Sequence, residues 1–145
     1  MSDVLGPGEV DAVTGRWDYA SLPPTIQVGH DCFLESRASF ARCRSRQQTG
    51  LRLGDRVHVY MWSSFSIDPE GSLSIGDDCV LVGAVFMCAH RIILGRGVVV
   101  SYNVTIADSD FHPRDPVQRR LDAIACGPQG WPDLCVISVL LAPTC

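Results

Sequence analysis

Two features of the sequence predict an all-β fold, a parallel β-helix of stacked hexapeptide coils. A four-residue phrase, aliphatic-x-aliphatic-Gly, recurs as Ile26-Gln27-Val28-Gly29, Leu51-Arg52-Leu53-Gly54, Leu73-Ser74-Ile75-Gly76 and Ile92-Ile93-Leu94-Gly95. Counting in sixes from the second aliphatic gives Val28, Leu34 and Phe40, then Leu53, Val59 and Phe65, then Ile75, Leu81 and Met87, then Leu94, Val100 and Ile106. All twelve are apolar, and at a 46% hydrophobic background such a run arises by chance roughly once in ten thousand registers. Neither a helical period of 3.6 nor plain alternation produces it.

The physical reading is a triangular solenoid. Three short strands make one turn, each side points one aliphatic inward, and like residues stack in ladders at the interstrand spacing of about 4.8 Å. The residue after each inward aliphatic turns the corner and has to be small. Gly29, Gly54, Gly76 and Gly95 take that place on the first side, and Ala41, Ser66, Cys88 and Ala107 on the third. Four residues after the aliphatic a second small or apolar side chain points inward, a position filled by Cys32, Ala38, Val57, Ser63, Cys79, Val85, Val98 and Val104. Cys32 and Cys79 are therefore read as packing residues. Arg44, Pro69, Arg91 and Asp110 break the rule on the third side. The phrases start 25, 22 and 19 residues apart, so every coil carries residues beyond eighteen. That surplus leaves the solenoid near one corner, where a binding face would be built.

The chain is thus divided into a lead-in over 1–25, the β-helix over 26–112, an arm or loop over 113–130 and an atypical tail over 131–145. At 145 residues it is long enough for one domain. A net charge of −4 and no basic stripe argue against a nucleic-acid partner. The most apolar run, 136–142, is too short to span a bilayer, so no membrane partner is expected. Residues 1–15 are acidic and lack an apolar core, so no export signal is expected, and a cytoplasmic location with reduced thiols follows. None of the seven cysteines forms a C-x-x-C pair. His30, His58, His90 and His112 are spaced 28, 32 and 22 residues apart at differing phases of the repeat, so no metal site is expected.

The coils run into Ser101-Tyr102-Asn103-Val104-Thr105-Ile106-Ala107-Asp108-Ser109-Asp110-Phe111-His112-Pro113. Coils ending in such a D-x-D-x-H-P run resemble the hexapeptide-repeat acyltransferases, in particular the branch of maltose and galactoside O-acetyltransferases. The resemblance covers residues 26 to about 130. It implies a left-handed β-helix, a homotrimer with active sites between subunits, and transfer of an acetyl group from acetyl-CoA to a hydroxyl or amine, without a metal. The acceptor implied is a small molecule, in most such enzymes a sugar.

His112 matches that family's catalytic histidine before proline. An acceptor hydroxyl is a poor nucleophile until a base takes its proton, and imidazole can accept and return a proton near neutrality. A carboxylate on the other ring nitrogen would fix the tautomer, with Asp108 and Asp110 as candidates. Tyr102 and Asn103, on the last coil, are candidate acceptor-binding residues, Asn103 being equally suited to a coil corner. Tyr60 and Trp62 suit either stacking on a ligand or a trimer contact. Members of the family continue into a further coil that holds much of the CoA cleft, whereas here no aliphatic-x-aliphatic-Gly phrase follows Gly97. The tail is read as truncated or frame-shifted from near Trp131, or as a divergent cap strand over 136–141. The alternative function is accordingly a catalytically impaired fragment or a non-catalytic structural or interaction β-helix.

Overall fold

The computed structural model describes residue 17 and residues 19–125. The expectations for the tail over 131–145 lie outside the described residues. The chain divides into two compact units, Met1–Asp108 and Ser109–Cys145.

The first unit is an all-parallel β-solenoid of about four turns. Strands β1 (Ile26–Val28), β3 (Leu51–Leu53), β6 (Ser72–Ile75) and β9 (Arg91–Leu94) form one sheet. Strands β2 (Phe33–Leu34), β4 (His58–Tyr60), β7 (Val80–Val82) and β10 (Val99–Val100) form the second. Strands β5 (Ser64–Ile67), β8 (Val85–Cys88) and β11 (Thr105–Ala107) form the third. The four phrases stack in the register that the repeat implies, Val28 beside Leu53, Leu53 beside Ile75 and Ile75 beside Leu94. On the second side Leu34, Val59, Leu81 and Val100 are aligned and buried.

Coil-to-coil hydrogen bonds explain the glycines of the first corner. Gly29 N–H donates to the Leu53 carbonyl, Gly54 N–H to Ile75 and Gly76 N–H to Leu94, each at 2.9 Å. A Cβ at any of these three glycines would come within 3 Å of the next coil's backbone. Two residues further on, Asp31, Arg56, Asp78 and Gly97 all have φ between 55° and 69°, so the chain turns each first corner through the left-handed region. Asp55 and Asp77 brace this corner: Oδ1 of Asp55 accepts from His30 N–H at 2.8 Å, and Oδ1 of Asp77 from Asp55 N–H at 2.9 Å.

The third side departs from strict sixes. The expected inward residue of the third coil, Met87, is only half-buried, and Phe86 is buried in its place, aligned with Phe65 and with Ile106. The cause is a corner one residue short. The second and fourth coils turn their second corner through Trp62 and Asn103, three residues after the inward aliphatic, while the third turns through Gly83, two residues after Leu81. Ala84 rather than Val85 is consequently the buried residue ahead of the strand, and Cys88 aligns with Ile67 on the inward face. In the first coil a short 3-10 turn, Arg37–Phe40, replaces the strand, burying Ser39 instead of Ala38.

The shift completes an aromatic ladder. Phe40 stacks on Phe65 at 5.3 Å between centroids, and Phe65 on Phe86 at 5.4 Å. Each such pair adds about 0.5–1.5 kcal/mol beyond the area it buries. Trp17 closes the N-terminal end of this column, 6.1 Å from Phe40, and its Nε1–H donates to the Leu34 carbonyl at 2.8 Å. Tyr19 Oη accepts from Leu34 N–H at 3.0 Å, so the outer edge of β2 is satisfied there by side chains. At the other end β9, β10 and β11 each lie at the edge of their sheet, Leu94 and Ile106 are only half-buried, and Ile93, Val99 and Val104 are exposed.

The two candidate inward residues of the third coil are separable by truncation. Phe86→Ala is expected to lower unfolding free energy by about 3–5 kcal/mol, because it opens a cavity under Phe65. Met87→Ala, on the outer side of the same strand, should cost about 1 kcal/mol or less. Urea denaturation of both variants measures the difference, and equal losses would contradict the one-residue shift.

Candidate functional site

The second unit carries the residue pair with acid–base character. Helix α1 (Pro116–Ala125) begins as the local sequence dictates. Proline occupies its first position, where the missing N–H is no loss, and Asp115 caps it, Oδ1 accepting from Val117 N–H at 3.1 Å and Gln118 N–H at 2.9 Å. Asp122, further along the helix, is buried, and its Oδ2 lies 2.6 Å from Nδ1 of His112, a hydrogen-bonding distance. The His112 side chain is 59% exposed whereas that of Asp122 is 4% exposed. An ionised carboxylate only accepts, so a neutral imidazole paired with one through Nδ1 carries its proton there and its lone pair on Nε2. Among the described residues Nε2 has no hydrogen-bond partner. The imidazole thus has one nitrogen held by a fixed acceptor and one open to a ligand.

Asp110, His112, Arg114, Arg119, Asp122 and Ala123 line one open hollow. Asp110 holds the turn before the histidine: its carbonyl accepts from His112 N–H and its Oδ2 from Arg114 Nε–H, both at 2.6 Å. Arg119 Nε–H donates to the Pro113 carbonyl at 2.9 Å, which fixes the guanidinium beside the hollow.

The expected carboxylate neighbours of His112 therefore have other duties. Asp108 ends the solenoid unit and clamps the bend between β8 and β9, its carboxylate accepting from the N–H groups of Ala89 at 2.7 Å, His90 at 2.8 Å and Arg91 at 2.7 Å. Burial raises the Asp108 carboxyl, but these donors outweigh it and hold the group below its ordinary value of 3.8. The same carboxylate faces Cys88, whose thiol is pushed up to about 12, first by burial and then by the Asp108 charge. Cys88 is accordingly a protonated packing residue and no nucleophile. Cys79 is buried at the second inward position of its coil and Cys32 half-buried at the same position.

Tyr102 and Asn103 lie in the solenoid unit. Asn103 has φ 63° and is the left-handed residue of the last second-side corner, the coil-corner role. Tyr102 is exposed and its ring covers Gly83, where a Cβ would come within 2.5 Å of Cδ1. Trp62 is 78% exposed at the equivalent corner, and Tyr60 tilts against Phe33 at 5.3 Å. Asp122 and Arg119 were not legible as site residues. The signal that could have found them is Asp115-Pro116, a helix start that puts Asp122 on the second turn of a helix after His112.

Fold and site define this chain as a parallel β-solenoid followed by a unit bearing a histidine–aspartate pair. Compared with protein-family models, with curated proteins and with solved structures, it gives no significant match. Among the described residues no three His, Cys, Asp or Glu side chains gather as a metal-binding group, and no helix is long and apolar enough to cross a membrane.

Two outcomes follow from the Asp108 clamp. Asp108 has a folded pKa below its unfolded one, so its contribution is present at neutral pH and lost as pH falls through the folded value. Asp108→Ala should lower stability by about 1–3 kcal/mol at pH 7, and the gap to the parent should narrow below about pH 4; denaturant titrations across pH 3–7 measure it. Iodoacetamide at pH 8, read out by peptide mass spectrometry, should leave Cys79 and Cys88 unmodified in the folded protein and label both after unfolding.

Proposed function

We propose that this protein is an acyltransferase of the hexapeptide-repeat type, moving an acetyl group from acetyl-CoA to a hydroxyl or amine of a small acceptor such as a sugar. The observation that carries the reading is the His112–Asp122 pair, with Nδ1 engaged at 2.6 Å and the imidazole exposed in the hollow. The D-x-D-x-H-P run after the hexapeptide coils supports the same assignment. In this reading the solenoid is left-handed, the protein is a cytoplasmic homotrimer, and no metal takes part.

The chemistry is a direct transfer. Nε2 of His112 removes the acceptor proton as the acceptor oxygen attacks the thioester carbonyl carbon. The tetrahedral intermediate collapses, the carbon–sulfur bond breaks, and the CoA thiolate takes the proton back from the imidazolium. Asp122 keeps Nδ1 protonated and stabilises the imidazolium that forms. Its burial makes the pairing strong, because little water competes for the carboxylate. Asp110 and Arg114 hold the backbone on either side of the ring. Tyr102 and Asn103 are retained as acceptor-binding candidates on the strength of the resemblance alone.

A non-catalytic structural or interaction solenoid is the second reading. It is favoured by the apolar residues exposed at the last coil, Ile93, Val99 and Val104, which suit packing against a further coil or a partner.

Thiol release from acetyl-CoA with a panel of sugars tests the first reading. His112→Ala is expected to lower kcat about 10²–10⁴-fold with little change in KM for acetyl-CoA. Asp122→Asn should lower kcat as well, since the amide can present a donor to Nδ1 and favour the unproductive tautomer. Turnover that survives His112→Ala would remove the histidine from the mechanism. No acetyl-CoA binding by calorimetry would leave the structural reading.

A further inference from the structure

The outward face of the β1–β3–β6–β9 sheet has no part in the acyl-transfer reading. Gln27, Arg52, Ser74 and Ile93 stand in register across its four strands. Ser72 and Arg91 stand in register two residues earlier on β6 and β9, so they project on the same side. The residues between them, Leu73 and Ile92, are buried on the core side. Together with Thr49 this face forms a shallow hollow whose lining contains two arginines, three hydroxyl side chains and no carboxylate.

The charge and hydrogen bonding of this hollow are both those of an anion acceptor. The protein carries a net charge of −4, and Arg44 and Arg56 of the solenoid are matched to acids, to Asp68 and Asp78. Among the described residues neither Arg52 nor Arg91 has an ion-pair partner. The Asp108 carboxylate approaches Arg91, but it is engaged by backbone N–H groups and not by the guanidinium. Gln27 Nε2–H donates to Thr49 Oγ1 at 3.0 Å, which leaves the threonine hydroxyl proton free to donate elsewhere.

We infer that this face binds a tetrahedral oxyanion, a phosphate or a sulfate, either as the free ion or as an ester. Arg52 and Arg91 lie on strands two steps apart, about 10 Å across the sheet, with Ser72 and Ser74 on the strand between them. Two guanidinium forks can close from opposite sides on a group seated over the serines. A planar carboxylate fills one fork, whereas a tetrahedral anion has oxygens for both forks and for a hydroxyl. Exposed Ile93, next to Ser74, supplies an apolar contact for the organic part of an ester.

The test is a titration of the whole chain followed by amide ¹H–¹⁵N spectra, using inorganic phosphate, inorganic sulfate and glucose 6-phosphate at constant ionic strength set with sodium chloride. Saturable shifts are expected at the amides of Ser72, Ser74, Arg91 and Ile93. Arg52→Gln and Arg91→Gln should each weaken binding roughly tenfold or more, since each removes a charge-assisted contact. Both side chains are exposed, so the remaining spectrum of each variant should superimpose on the parent's. Tighter binding of glucose 6-phosphate than of inorganic phosphate identifies an ester as the ligand, and equal binding identifies the free ion. Shifts that do not saturate, that chloride reproduces, or whose midpoint is unchanged in both variants would overturn the proposal.

Discussion

Every coil of the solenoid unit has to lay its backbone on the next one in parallel register, and this single constraint governs the rest. It is met by short hydrogen bonds such as Gly29 to Leu53, Gly54 to Ile75 and Gly76 to Leu94. Parallel stacking places like residues on like, so the corner has to be narrow in every coil or in none. A side chain at Gly54 or Gly76 would meet the backbone of the following coil and force the two apart. The same stacking makes the aromatic column possible: Phe65 and Phe86 are in register on β5 and β8, and the 3-10 turn of the first coil sets Phe40 on Phe65.

A stacked structure concentrates its difficulties at its ends and corners. The first end is closed by Trp17 and Tyr19, which use an indole N–H and a phenol to satisfy Leu34 while covering the ring column. In the last described coil β9, β10 and β11 are the outermost strands among the described residues, and Leu94 and Ile106 are less buried than their counterparts in the middle coils. The third corner holds the surplus residues, and there Asp108 replaces regular strand pairing with a carboxylate that accepts from three consecutive residues. A charged acceptor meets donors that no neighbouring strand reaches, and its charge keeps the adjacent Cys88 thiol protonated.

The histidine that the sequence singles out has a carboxylate partner, but the partner comes from a different place in the chain. Asp108 and Asp110 are close to His112 in sequence, and both are committed to backbone or arginine contacts. Asp122 reaches Nδ1 because a capped helix carries it back to the histidine ten residues away. Alternation along a strand would put Asp108, Asp110 and His112 on one face, but the strand ends at Ala107 and Phe111 turns through φ 55°, so closeness in sequence does not become side-chain contact here. A helix start at Asp115-Pro116 is the kind of local signal that brings distant residues together.

The sequence by itself determined the solenoid: its sixfold aliphatic spacing, its glycine corners and the strand that each phrase forms. These are legible because parallel stacking repeats one local requirement in every coil, and the requirement leaves a periodic trace. It also singled out His112 as a candidate, through the resemblance that the D-x-D-x-H-P run carries. The tertiary structure alone decided that Phe86 and not Met87 faces the core. Both are apolar, so counting cannot tell them apart, and only the alignment with Phe65 reveals the missing corner residue. It alone decided that Asp122 orients His112 and that Arg52 and Arg91 share one face. Pairings between residues far apart in the chain depend on how coils and helices are brought together, and no local pattern in the sequence records that.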